Sequence, residues 1–144
     1  MKYIRIASPD TEIKRGNNKI TIEVNGSEVR DIKSFYEILV NNLEFPGYFG
    51  DNLDALYDML IDLQWLKQDT IDIIISDYED FLTDEVDEDK AEIMLLLEDV
   101  CREWKEGYSD DEDWEMKKVR VYVLCDEMTG KQISRMIADM TEEE

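Results

Sequence analysis

The stretch Phe45-Pro46-Gly47-Tyr48-Phe49-Gly50-Asp51-Asn52-Leu53-Asp54-Ala55-Leu56-Tyr57-Asp58-Met59-Leu60 contains a helix stop, a turn and a helix start in immediate succession. Proline lacks an amide hydrogen and disfavours helical geometry in the residue before it, so Pro46-Gly47 ends the preceding helix. Gly50 is expected to allow a backbone turn that a side chain would obstruct. Asp51 or Asn52 is a good N-cap, because either side chain can accept a hydrogen bond from a first-turn amide. A helix is expected from there to about Trp65. Along it Leu53, Leu56, Leu60 and Leu63 recur at i, i+3, i+7 and i+10, and Asp51, Asp54, Asp58 and Asp62 recur at spacings of 3, 4 and 4. At about 100° per residue the two stripes point in roughly opposite directions, leucines to a core and aspartates to water.

Those aspartates repel one another and oppose the helix that carries them. The first two gain from the positive end of the helix dipole; Asp58 and Asp62 lie beyond it. No lysine or arginine occurs between residues 34 and 66 to neutralise them. Acids on an exposed helix face are most often only solubilising. Here Tyr48, Phe49 and Tyr57 flank them, and aromatic anchors beside unpaired carboxylates suit an interface better than a solvated face. Tyr48 and Phe49 suit a core equally well.

On either side of this stretch the chain alternates between strand and helix patterns. Ile20-Thr21-Ile22-Glu23-Val24 ends at the turn signal Asn25-Gly26, Ile71-Asp72-Ile73-Ile74-Ile75 ends at Ser76-Asp77, and Val119-Arg120-Val121-Tyr122-Val123-Leu124 is the third β-branched run. Between the first two lies a helical pattern over about residues 32–43, with Phe35, Ile38, Leu39 and Leu43 on one side, followed by the helix described above. Between the second and third lie a short piece near residues 78–82 and a stronger helix over about 90–105, striped by Ile93, Leu96, Leu97, Val100 and Cys101. This order predicts parallel strands joined by helical crossovers. Both ends read as additions to a core of about residues 19–125. Residues 1–18 can hold an extra strand at 3–7, and residues 126–144 carry Ile133, Met136, Ile137 and Met140 at i, i+3, i+4 and i+7, an amphipathic helix that docks on the core or on a second copy. No repeat or linker divides the 144 residues, so a single domain is expected.

Charge narrows the function. The chain has 16 basic and 37 acidic residues, a net charge of −21, and residues 77–115 alone hold 18 acidic against 3 basic side chains. Such a chain repels phosphates and anionic membranes and attracts basic proteins, including those that themselves bind nucleic acid. Histidine is absent, which excludes Ser-His-Asp and Cys-His catalysis and His-ligated zinc. Cys101 and Cys125 have no metal-type spacing and read as reduced thiols, consistent with a soluble cytoplasmic protein. Ser109-Asp110-Asp111-Glu112-Asp113 reads as a solvated loop.

Residues 46–60 closely resemble the signature of the barstar family, small intracellular inhibitors of secreted ribonucleases. The family pattern is a proline, one residue, two aromatics, a glycine, an acid, Asn-Leu-Asp-Ala-Leu, an aromatic and Asp; this sequence keeps that order, with Phe49 as the second aromatic and Tyr57 where tryptophan is common. The resemblance extends more weakly over about residues 19–124. It implies a three-stranded parallel sheet covered by helices, no enzymatic activity and no cofactor or metal. It also implies a binding site for a basic ribonuclease or nuclease toxin: Asp58 entering the phosphate-binding centre, Asp54 pairing beside it, Tyr48 packing at the entrance, and Phe49, Gly50, Asn52 and Tyr57 shaping the surface. A later family acid would fall on Glu103. Ile61 and Leu63 depart from the small polar residues that can follow the motif.

Two other function classes compete. A nucleic-acid mimic directed at another basic protein shares the −21 charge but leaves the Asn52-to-Asp58 pattern unexplained. A metal protein or carboxylate enzyme could use Asp54 and Asp58 for a hard cation, but the acidic runs match no calcium-loop template.

Overall fold

The computed structural model describes residues 3–47, 49–107 and 109–142. The chain runs β1 (Arg5–Ala7), β2 (Lys19–Asn25), α1 (Ile32–Leu43), α2 (Leu53–Leu60), β3 (Thr70–Ser76), α3 (Asp87–Glu106), β4 (Lys118–Leu124) and α4 (Glu127–Glu142). The strands form one parallel sheet in the order β1-β4-β3-β2. The three expected strands are β2, β3 and β4. The sheet gains a fourth from the N-terminal extension, at the position where the sequence allowed one. It is short because Tyr3 and Ile4 leave the ladder: their amides donate to the buried Glu98 carboxylate at 2.9 and 2.8 Å.

Period-2 burial in β2 and β4 marks the face that meets the helices, while the central β3 is buried on both faces. Ile22 and Val24, Ile71, Ile73 and Ile75, and Val121 and Val123 are fully buried against Phe35 and Leu39 of α1, Leu56 and Leu60 of α2, and Leu97 and Val100 of α3. The steps β2 to β3 and β3 to β4 move in the same direction across the sheet, so right-handed crossovers put their helices on one face. Gly26 joins β2 to the end of β3: its amide donates to Ser76 O at 2.8 Å, and a Cβ there would lie 2.1 Å from Asp77 O. Only glycine fits that approach.

On the opposite face β3 carries Asp72, with no exposure. Its carboxylate takes a two-pronged contact from Arg120 of β4, Nε at 2.6 Å and a terminal nitrogen at 2.9 Å, and an ion pair from Lys19 of β2 at 3.4 Å. This bonding holds the Arg120 guanidinium above its ordinary pKa. Residues 8–18 must return from the end of β1 to the start of β2. Arg15 pairs with Glu23 at 2.9 Å and Lys19 Nζ donates to Lys14 O at 3.0 Å, which ties that return to this face.

The C-terminal helix docks as its spacing predicts. Asp126 caps it by accepting from Thr129 N at 2.7 Å, and Ile133 and Ile137 are buried in the common core. A Cβ on Gly130 would lie 2.7 Å from Ile6 Cγ2, so α4 closes directly over β1. The piece near residues 78–82 forms turns rather than a helix, and α3 begins at Asp87, earlier than its apolar stripe indicates. Asp87, Glu88 and Asp89 fill its first turn, where the helix dipole favours acids. Cys101 and Cys125 are free and buried. Among the described residues no helix is long and apolar enough to cross a membrane.

Candidate partner-binding site

The chain fixes α2 at both ends. At its start Asn52, not Asp51, is the cap: its Oδ1 accepts from Ala55 N at 2.8 Å and its Nδ2 donates to Gly50 O at 3.0 Å. The left-handed residue of the turn is Asp51, with φ of 48°. Gly50 is therefore not the flexible point that the sequence implied. A Cβ on it would lie 3.2 Å from Asn52 Nδ2, so its smallness leaves room for the cap.

At its end α2 stops at Leu60 and does not continue to Trp65. Trp104 of α3 donates its indole hydrogen to Leu60 O at 2.8 Å, occupying a terminal carbonyl, and Leu63 turns left-handed with φ of 54°. Leu63 is still fully buried, from a turn rather than from the helix. Trp65 donates to Leu43 O at 2.8 Å and fastens that turn to α1.

The result is a short, rigid helix with two unlike faces. Leu56, Met59 and Leu60 are buried; Asp54 and Asp58 are exposed on the other side, with no cation within 4 Å among the described residues. The expected stripe of four aspartates is shortened to these two. Asp51 sits exposed in the turn, close enough to the Tyr36 hydroxyl to help raise its pKa, chiefly set by burial. Asp62 lies beyond the helix, half-buried, accepting from Gln64 N at 3.4 Å.

The other site residues fall around this face. Tyr57 is half-buried between α2 and α3, and its hydroxyl pKa is pushed up first by burial and then by the Glu103 and Asp99 carboxylates. Phe49 is half-buried and supports the loop, with edge-to-face contacts to Tyr36 at 5.5 Å and Phe45 at 5.1 Å. Tyr48 lies outside the described residues. Glu103 is exposed on α3, beside a cavity of about 240 Å³ that Ile61, Trp104 and Trp114 also line. Trp104 and Trp114 stack at 5.8 Å, and Gln64 exchanges two 2.9 Å hydrogen bonds with the Glu115 backbone. These contacts anchor the acidic residues 109–113 next to the site.

Beyond Glu103, the sequence reading missed the contribution of α3. A groove of about 600 Å³ runs between α2 and α3, floored by Leu53, Tyr57 and Leu95 and edged by Asp54, Asp58, Glu92 and Asp99. Asp99 is paired with Arg102 at 3.0 Å. Glu92, Asp99 and Glu103 stand at i, i+7 and i+11, which places them on one face of a helix. That spacing was readable, but nothing local showed that this face meets α2. Among the described residues no group of three acidic or thiol side chains converges as a metal-ligand set.

The arrangement presents Asp54 and Asp58, with no cation within 4 Å among the described residues, on a rigid support beside an apolar groove, a surface suited to a cationic cleft. A family model described as barstar (barnase inhibitor) matches residues 20–125. The match takes in nearly all of β2 and runs through β4, includes α2 and the turn before it, and leaves β1 and α4 outside. This match spans well over half of the chain, and the chain belongs to the barstar family.

Proposed function

We propose that this protein blocks the active site of a basic ribonuclease, or of a nuclease toxin to which it confers immunity, with α2 and the turn before it. The observation that carries the reading is the pair Asp54 and Asp58. They are exposed one turn apart on a helix whose opposite face is fixed in the core, and among the described residues they have no cation within 4 Å. A nuclease cleft concentrates positive charge to hold phosphates. Two carboxylates held on a rigid helix imitate that polyanion without the entropy cost of ordering a flexible one. Charge complementarity speeds encounter, and charge-assisted hydrogen bonds slow release. In this reading Asp58 enters the centre of the cleft, Asp54 pairs beside it, and Tyr57, Asn52 and Gly50 keep the surface in shape. Glu103 and the α3 edge of the groove meet the rim. The protein itself performs no reaction, and its two free thiols favour a reducing, cytoplasmic location.

The test compares two aspartates. Asp58→Ala should weaken binding to the cognate ribonuclease by about 2 kcal/mol or more, roughly thirtyfold, as expected for a desolvated central charge. Asp62→Ala should cost far less and act mainly on association rate and salt dependence, because it lies off the helix and already serves Gln64. Neither change touches the buried face, so circular dichroism and melting should stay the same. Calorimetry and stopped-flow binding read the comparison. Equal losses would mean that the acids act as diffuse charge, favouring a general polyanion mimic.

A further inference from the structure

β4 has a strand on both sides for only part of its length. β3 pairs with it from Lys118 to Val123, whereas β1 covers only Tyr122, Val123 and Leu124. Before that point the N-terminal chain turns away and gives its amides to Glu98. Among the described residues, no strand lies against the outer side of residues 118–121. Backbone groups alternate in direction along a strand. Lys118 N donates inward to Asp69 O at 2.8 Å and Cys125 N donates outward to Ala7 O at 3.0 Å, so Val119 and Val121 point outward. The Val121 backbone lies near the Cys101 thiol and partly offsets the rise that burial causes in its pKa. Val119 borders a cavity of about 500 Å³ on this outer side.

That cavity has an unexpected charge. In a chain of net −21, five of the 16 lysines and arginines line it: Arg5, Lys105, Lys117, Lys118 and Arg120. Three are already engaged, Lys117 by the Leu66 and Gln68 carbonyls, Arg120 by Asp72, and Arg5 by Tyr122, whose hydroxyl accepts from it at 3.5 Å and whose ring lies 5.6 Å away. Arg5, Lys105 and Lys118 are exposed and have no carboxylate within 4 Å among the described residues. The pleat separates the two walls. Arg5, Lys118 and Arg120 lie on the far face of the sheet, while Val119, Cys101 and Trp104 form an apolar wall on the α3 side.

A small anion would use only the cations, and an apolar segment only the other wall. An extended chain laid beside β4 uses both walls and also the outward backbone of Val119. We propose that this track binds an extended peptide segment of a partner protein in which acidic and apolar residues alternate, added as a short strand where β1 leaves off. Cationic side chains on a sheet edge ordinarily discourage pairing with further copies; here the same charges select an acidic strand. Lys105 stands two residues from Glu103, about 200° around α3, so this track and the α2 face can be occupied together.

The probe is a fluorescein-labelled peptide, Val-Glu-Val-Glu-Val-Asp-Val, titrated with the full chain and followed by anisotropy. Saturable binding is expected, weakened about tenfold or more by Lys118→Glu or Arg5→Glu and by N-methylation of the central peptide amides. Both substituted residues are exposed, and melting curves should confirm that the variants fold. Inhibition of a ribonuclease through α2 should not change. Absence of saturable binding would overturn the proposal. So would binding that ignores N-methylation, which would mark a simple anion site. Concentration-dependent sedimentation of the chain alone, abolished by Lys118→Glu, would overturn it in favour of a second copy as the occupant.

Discussion

Asp72 is held among isoleucines by partners that stand in register on the two neighbouring strands, Lys19 two residues before its β2 counterpart Thr21 and Arg120 directly opposite on β4. Nothing near it in sequence reveals this, since the three residues are joined only by sheet pairing. Glu98 is similar: it reads as one more acid of α3 until the N-terminal amides are seen on it. Asn52, by contrast, was legible as one of two candidate caps, because a cap acts within three residues. Tyr48 remains a sequence reading only. Cys101 shows how burial becomes measurable. Burial pushes its thiol up to about 12, and Cys125 is raised as well. The folded chain thus holds these protons more tightly than the unfolded chain, whose thiols titrate near 8.5. Their contribution to stability is fully present below about pH 8.5 and is lost as the pH rises toward the folded values. The melting temperature should fall between about pH 8.5 and 10, before the buried tyrosines titrate, and Cys101→Ala should flatten that fall. A slope unchanged by the substitution would show that the thiol does not govern it.

At the scale of elements, strands and long helices follow from periodicity, while their ends depend on contacts made elsewhere. The three β-branched runs and α1 appear where the pattern puts them, since alternation and the 3.6-residue stripe are local properties. α2 ends early because an indole from α3 and a left-handed Leu63 intervene, neither of which a leucine stripe can show. β1 was readable only as an allowance, because three residues become a strand when an edge is open to receive them. The docking of α4 carries its own prediction. Ile133 and Ile137 are 2% and 1% exposed. Ile137→Ala should cost about 2–4 kcal/mol, for a cavity forms under a helix that cannot fully collapse onto β1. For a domain of this size that is roughly 5–15 °C in melting temperature, and truncation after Asp126 should lower it further. Since α4 lies outside the region matched to the family, Ile137→Ala should leave ribonuclease binding intact at temperatures where the chain is folded. Scanning calorimetry with a binding assay checks both; an unchanged melting temperature would mean that α4 does not contribute to the core.

For the whole molecule, one distribution of charge sets two properties of opposite sign. The net charge is −21, and the acids crowd into residues 77–115 and the face of α2, while a cluster of cations collects at the outer edge of β4. Inside the free protein the crowded carboxylates repel one another and destabilise the compact state. Toward a basic ribonuclease, the partner proposed above, the same carboxylates would attract and speed encounter. Salt screens both effects, over about 10 Å at 0.1 M and 3 Å at 1 M. Raising potassium chloride from low to moderate concentration should therefore raise the melting temperature of the free chain and slow its association with the enzyme. On the function proposed above the dissociation rate should change little, because a desolvated contact at Asp58 would be screened less. Chloride is the appropriate salt, since sulfate or phosphate would also strengthen apolar burial and occupy the nuclease site. Melting curves and stopped-flow association over the same salt series make the comparison. If the melting temperature instead falls as salt rises, favourable pairs such as Asp72 with Arg120 outweigh the repulsion, and the acidic surface costs the fold little.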